Sequence, residues 1–332
     1  MTTRSAAAAR RRGVVAGVLG LAVLGTATVV GWDALRGSSV LPGSAQCVAV
    51  VDGHEVGLEA EQAENAALIT AISVRRGMPA RAASIALATA YQESDLYNVE
   101  FGDRDSLGLF QQRPSQGWGT EEQVLDPVYS TNAFYDALAE VDGYEGLEIT
   151  VAAQEVQRSG FPDAYADHEL DARALASALT GNSRASFTCE TADDAEPAST
   201  ELTGVGLTPR AETVRQELLA VFGDGLALGG YAPEGVSTGH MEGSAHYSGR
   251  AVDVFVRPIN EDNKTRGWAM AHYLVAQADR LDVDTVIFDA QIWTTRRSDE
   301  GWRDYDVDTS DVDQATAAVL EHRDHVHVDV AE

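Results

Sequence analysis

The sequence predicts two domains, a helical one followed by one of mixed helix and strand. Three observations predict this. Residues 61–180 carry apolar residues at helical spacing, with no convincing strand run among them. Residues 190–208 (ETADDAEPASTELTGVGLT) are acidic, small and proline-containing, the composition of a linker. Beyond them, β-like runs alternate with helical ones. A length of 332 residues exceeds one average domain and agrees with two.

The N-terminus is taken first. Arg4, Arg10, Arg11 and Arg12 precede an uncharged stretch, 13–31, about long enough to cross a ~30 Å hydrocarbon core. Arginines before it and acids after it predict an N-in, C-out orientation. A cleaved signal ending near Gly43-Ser44-Ala45 is the rival reading, and this Gly- and Ala-rich span leaves both open. Either one places the body of the protein outside the membrane, as a single-pass anchored or secreted protein of the cell envelope. The expected divisions are 1–44 for anchor or signal, 45–190 for the first domain, 191–209 for the linker and 210–332 for the second domain.

That body is strongly acidic. The chain has 24 basic against 52 acidic residues, a net charge of −28, and Lys264 is its only lysine. Nucleic-acid binding is excluded as a main function, because phosphate binding needs clustered cations. The two cysteines, Cys47 and Cys189, bracket 48–188. In an exported protein they are compatible with one disulfide, worth roughly 4–5 kcal/mol for so long a loop.

Within the first domain, helices are expected over 63–74, 82–92, 131–141, 150–158 and 171–179. The second follows as helix 211–222, strand 251–256, helix 268–281, and strands 285–288 and 325–330.

Glu93 ends the almost wholly apolar run 82–91 and faces a loop. An electronegative helix end and apolar neighbours both favour a protonated carboxyl, as a general acid requires. Ser106-Leu107-Gly108-Leu109-Phe110-Gln111 follows. Gly108 allows close backbone approach, and Gln111 offers an amide to sugar hydroxyl or acetamido groups. Then come Ala152-Ala153-Gln154-Glu155-Val156-Gln157-Arg158-Ser159 and Tyr165.

These motifs, in this order over roughly residues 60–182, resemble the goose-type-lysozyme and soluble-lytic-transglycosylase superfamily. The resemblance implies an all-α lysozyme-like fold and cleavage of peptidoglycan after N-acetylmuramic acid. It makes Glu93 the catalytic acid/base, with Ser106, Gln111 and Tyr165 lining the glycan groove. Transglycosylases of this kind use one carboxyl group and close a 1,6-anhydro ring. A hydrolase needs a second carboxylate roughly 5–9.5 Å away. Asp95, Asp103, Asp105 and Asp126 are the candidates, and none lies in a motif, so transglycosylase is preferred to lysozyme.

The second domain carries a different constellation. His246 and Asp253 stand seven apart in SAHYSGRAVD, with Asp253 inside the run AVDVFV. A carboxylate among apolar strand neighbours needs a counter-charge. Near the chain's end, strand alternation puts His325, His327 and Asp329 on one face and Val326, Val328 and Val330 on the other. One Asp and two His leave a zinc ion an open position for water, which then has a pKa near 7 and can attack an amide. The plain alternative makes His322, His325 and His327 surface residues beside acids, and His246 the cap of a glycine turn.

Ser-x-His-x-x-Gly-x-Ala-x-Asp followed by Asp-His-x-His resembles the LAS-type zinc peptidases over roughly residues 210–332. These include D-alanyl-D-alanine carboxypeptidases and L-alanyl-D-glutamate endopeptidases. The resemblance implies an α+β fold with a small antiparallel sheet, and one Zn²⁺ held by His246, Asp253 and His327. It makes Asp324 the general base and His325 an oxyanion stabiliser, with Ser244 and Gly249 in positioning roles. The combined expectation is a peptidoglycan-remodelling enzyme acting on glycan strands and stem peptides. The alternative is a peptidoglycan-binding or assembly factor with one or both domains inactive.

Overall fold

The computed structural model describes residues 46–332. The 13–31 stretch, expected as an anchor or signal, lies outside them. Among the described residues no helix is long and apolar enough to cross a membrane.

β1 (Cys47–Val51) and β2 (His54–Leu58) form a hairpin through Asp52 and Gly53, whose φ values of 51° and 80° suit a two-residue turn between twisted strands. The helical body follows as α1 (Ala60–Arg75), α2 (Ala80–Ser94), α3 (Glu121–Leu125), α4 (Pro127–Ala139), α5 (Ile149–Gln157) and α6 (Glu169–Leu179). α2 is its central post. Residues 82–90 are all buried, and their many alanines let α1, α5 and α6 pack close around it. β3 (Phe187–Cys189) then returns to pair antiparallel with β1. It sets Cys189 opposite Cys47, and the two form the expected disulfide.

The first half is therefore helical with a three-stranded sheet, β2-β1-β3, rather than wholly α. The strands sit at its two ends, outside the window of helical periodicity. Asp-Gly between two apolar runs was the signal for the hairpin.

The second half begins at α7 (Pro209–Phe222), capped by the Thr208 hydroxyl with proline at its first position. It continues through β4 (Ala227–Gly229), β5 (Ala251–Phe255), α8 (Glu261–Ala276), α9 (Ala278–Leu281), β6 (Val283–Phe288), β7 (Gln291–Thr294), β8 (Arg303–Asp304), α10 (Gln314–Leu320) and β9 (His325–Val330). Six strands form one antiparallel sheet in the order β4-β5-β9-β6-β7-β8. Val252, Val254, Val286, Trp293, Val326 and Val328 are buried on the face that meets α8. The opposite face carries Asp253, His325 and His327.

Residues 190–208, expected as a linker, contain no helix or strand. They do not hold the halves apart. One continuous buried cluster draws on both. Arg75 donates to the Ala220 carbonyl (2.8 Å), Gln277 to that of Glu64 (3.1 Å), and Trp302 to that of Phe187 (2.8 Å). His272 of α8 is fully buried and its Nδ1–H reaches the Ala178 carbonyl of α6 at 2.8 Å.

That histidine makes the junction acid-sensitive. Burial, only partly offset by the Ala178 hydrogen bond, pushes its pKa down from 6.5 to about 4. Between these values the unfolded chain takes a proton that the folded one refuses, so the contribution is complete above pH 6.5 and is lost as pH falls toward 4. The loss reaches about 3 kcal/mol. Urea unfolding at pH 7, 5.5 and 4.5 is expected to show a flatter pH dependence for His272→Gln than for the wild type. Equal slopes would refute this role.

Candidate functional site

Glu93 lies in the last turn of α2. The buried Tyr165 hydroxyl donates to its Oε1 at 2.7 Å. Neighbouring motif residues hold the surrounding loop. Ser94 donates from the helix end to the Leu109 carbonyl (2.8 Å), and Gln157 of α5 donates to the Phe110 carbonyl (2.7 Å). Gly108 is required by backbone crowding, since a Cβ there would stand 2.3 Å from the Val124 carbonyl oxygen at a φ of +75°.

Of the expected glycan residues, Tyr165 is thus brought onto Glu93. Ser106 and Gln111 make contacts within the loop. Ser106 is buried and donates to the Asp103 carbonyl. The Gln111 amide donates to the Phe101 and Gly108 carbonyls. Three of the four candidate second carboxylates are engaged elsewhere. Asp105 is bound by Arg113 and the Ser115 amide, Asp126 caps α4, and Asp103 pairs with Arg104. Asp95 occupies the left-handed cap residue just past α2.

The second cluster is tighter. Pairing of β5 with β9 sets Asp253 directly opposite His327, and the short helix 245–248 brings His246 over them. His246 Nε2 and His327 Nδ1 are 3.1 Å apart, and each is 3.2 Å from Asp253 Oδ1. All three residues are buried.

Their outer partners fix where the protons sit. His246 Nδ1 is 2.7 Å from the Gly230 carbonyl, which can only accept, so the proton is on Nδ1 and Nε2 presents a lone pair. His327 Nε2 faces Asp329 Oδ2 at 3.2 Å, which likewise assigns that nitrogen the proton and leaves Nδ1 bare. Two lone pairs and a carboxylate oxygen therefore face one point, an arrangement that needs a cation. A tetrahedral ion with bonds of about 2.0–2.1 Å spaces its ligands by about 3.3 Å, close to the triangle observed. The spacing of the three residues suits a divalent metal ion. In the ion's absence the cation is a proton. Burial alone lowers the His327 pKa, but hydrogen bonds to Asp253 and Asp329 outweigh it and push it up to about 9.

Five of the chain's eight histidines gather here. His325 Nδ1 donates to Asp324 at 2.7 Å, which turns Nε2 toward the cluster, 3.8 Å from Asp253 Oδ1. Asp324 stands behind His325, and its other oxygen is held by Arg257 at 2.6 and 2.7 Å. Burial works against its charge, yet these two partners hold its carboxyl below the ordinary range. His325 and His327 are 6% and 7% exposed, so neither is the surface residue of the plain alternative. His322 packs against both rings, at 4.6 and 5.6 Å between centroids.

Sequence reasoning missed His240. Its ring stacks on His246 at 3.9 Å, and His240, His246 and Asp253 can each offer a ligand atom within 4.8 Å of the others. It lies on a glycine-rich loop with no periodicity, six residues before His246. Gly230 was also missed. A Cβ there would stand 2.3 Å from His246 Cε1 and 2.9 Å from Asp253 Oδ2, at a φ of +80°.

Residues 203–318 match the family model described as VldE, C-terminal domain. The match covers His240, His246 and Asp253 and stops before β9. No curated protein matches the chain.

Gly230→Ala is expected to weaken any divalent-metal binding at this cluster about 10- to 100-fold, because it displaces the ring that the Gly230 carbonyl orients. Competition with a chelator of known affinity measures this. Unchanged affinity would contradict the proton assignment given to His246.

Proposed function

We propose that the protein remodels peptidoglycan outside the membrane, cutting glycan strands at Glu93 and stem peptides at the His246–Asp253–His327 centre. The convergence of two oriented lone pairs and one carboxylate on a single buried point carries the reading. Such a triangle is costly unless a cation fills it. The motif order around Glu93, with Tyr165 on its carboxyl, supports the glycan activity.

At the first site, Glu93 gives its proton to the glycosidic oxygen as the bond to C1 breaks. It then takes the proton of the sugar's 6-hydroxyl as that oxygen closes on C1, which yields the 1,6-anhydro product and restores the acid. Tyr165 orients the carboxyl throughout. One carboxylate suffices, in agreement with the engagement of Asp103, Asp105 and Asp126 in other contacts.

At the second site, His246, Asp253 and His327 would hold zinc, which when bound supplies Lewis acidity and an acidified water. His325 Nε2 faces the same space and takes or returns the proton of the reacting groups. Asp324 and Arg257 keep its ring in place.

Digestion of isolated sacculi, read by mass spectrometry of muropeptides, tests both activities. The wild type is expected to release anhydro-muropeptides and trimmed stems. Glu93→Gln abolishes the first product only and His246→Ala the second only, each by at least about 10²-fold. Binding to sacculi without release of either product would overturn the enzymatic reading in favour of a wall-binding factor.

A further inference from the structure

The segment 230–244, between β4 and the short helix 245–248, contains no helix or strand and passes over the histidine cluster. The His240 ring stacks on His246 with centroids 3.9 Å apart. One residue on, the Met241 sulfur accepts from the Tyr305 hydroxyl at 4.0 Å. Tyr305 stands edge-on to His322, which packs on His325 and His327. His240 is half-buried where His246, Asp253 and His327 are buried, so it stands between their triangle and solvent.

Three protein ligands leave a tetrahedral ion one position. His240, His246 and Asp253 can each offer a ligand atom within 4.8 Å of the others. Two imidazoles bound to one tetrahedral ion hold their centroids about 5 Å apart, as His246 and His327 do at 4.9 Å. His240 is closer to His246 and nearly parallel to it, with ring planes 24° apart, so it lies beside the ligand position and not in it. Ligand atoms on one such ion stand about 3.3 Å apart, so a shift of about 1.5 Å at most brings a His240 nitrogen to that spacing. The backbone permits the shift. Gly239 and Gly243 flank the segment at φ values of +94° and +81°, and a Cβ on either would meet nothing within 4 Å. The tethers are few. The His240 N–H donates to the Tyr247 hydroxyl at 3.1 Å, and that hydroxyl donates back to the His240 carbonyl at 2.5 Å. Tyr247 is 37% exposed and Met241 57%, so the segment moves without unpacking the core.

We propose that His240 is a fourth, exchangeable ligand of the metal centre. Moved onto the ion, its nitrogen completes a shell of four protein ligands, the arrangement of a closed site, and keeps water and peptide out. Stacked on His246, it leaves the fourth position open to them. The segment around Gly239 and Gly243 is the hinge between the two positions. The inference deepens the peptidase reading and rests on it for the presence of the ion. It adds a closed resting state to the same site.

Two measurements on metal-loaded protein provide the test. X-ray absorption of the zinc-loaded wild type, without substrate, is expected to count three imidazoles on the ion, and two in His240→Ala. The wild-type count alone decides the matter if the variant fails to fold. In the second measurement Co²⁺ replaces zinc, and its visible spectrum is followed as azide, a small anion that takes an open position, is added. Azide is expected to bind His240→Ala at least about tenfold more tightly than the wild type, because no ligand competes with it. Free imidazole added to the variant restores the wild-type spectrum. Two imidazoles in the wild type, or equal azide binding by wild type and variant, sinks the fourth ligand and leaves the His246–Asp253–His327 centre standing. A wild type that takes up neither ion sinks the centre, and this inference with it.

Discussion

Three electron-pair donors held within 3.2 Å of one another in a buried pocket repel unless a positive charge stands among them. Much of the second half is arranged to hold them there. The antiparallel pairing of β5 with β9 brings Asp253 and His327 together from residues 74 apart in the chain. The valines on the reverse of both strands bury the sheet against α7 and α8 and fix that pairing. The Gly230 carbonyl and Asp329 each take a ring proton and turn the other nitrogen inward. Loss of either acceptor would free a tautomer and weaken the triangle without removing a ligand.

The junction between the halves bears on function as well. A flexible tether would let two active sites search independently. Here α8 packs on α1 and α6, and tryptophans of the second half donate to carbonyls of the first half's closing strand. The disulfide at Cys47–Cys189 ties that strand to the beginning of the described chain. The two side-chain clusters are therefore carried by one connected body, and their relative placement follows from packing rather than from the 190–208 segment.

The helices of both halves were legible because an apolar stripe at a 3.6-residue period is long enough to recognise. α1, α2, α5, α6 and α7 fall where periodicity puts them, within a few residues at their ends. The short strands were not. β4, β7 and β8 have two to four residues each, too few for alternation to register, and they are defined by their partners across the sheet. The hairpin of β1 and β2 carried an Asp-Gly signal that the helical texture of the following residues masked.

The site divides the same way. Glu93, Tyr165, His246, Asp253 and His327 belong to local motifs, and the fold brings them together as two clusters. His240 and Gly230 lie in a loop whose sequence has no period, so only the fold reveals that they touch His246. The order of Asp324 and His325 was also beyond the sequence. Which of two adjacent residues faces the cluster depends on the last turn before β9 and on Arg257, which approaches from the end of β5. The metal content of protein purified without chelator, measured by mass spectrometry, tests the central claim most directly. About one zinc per chain in the wild type, and far less in His246→Ala and His327→Ala, is the predicted result. A wild-type protein that carries no metal and takes up none when zinc is supplied would contradict it.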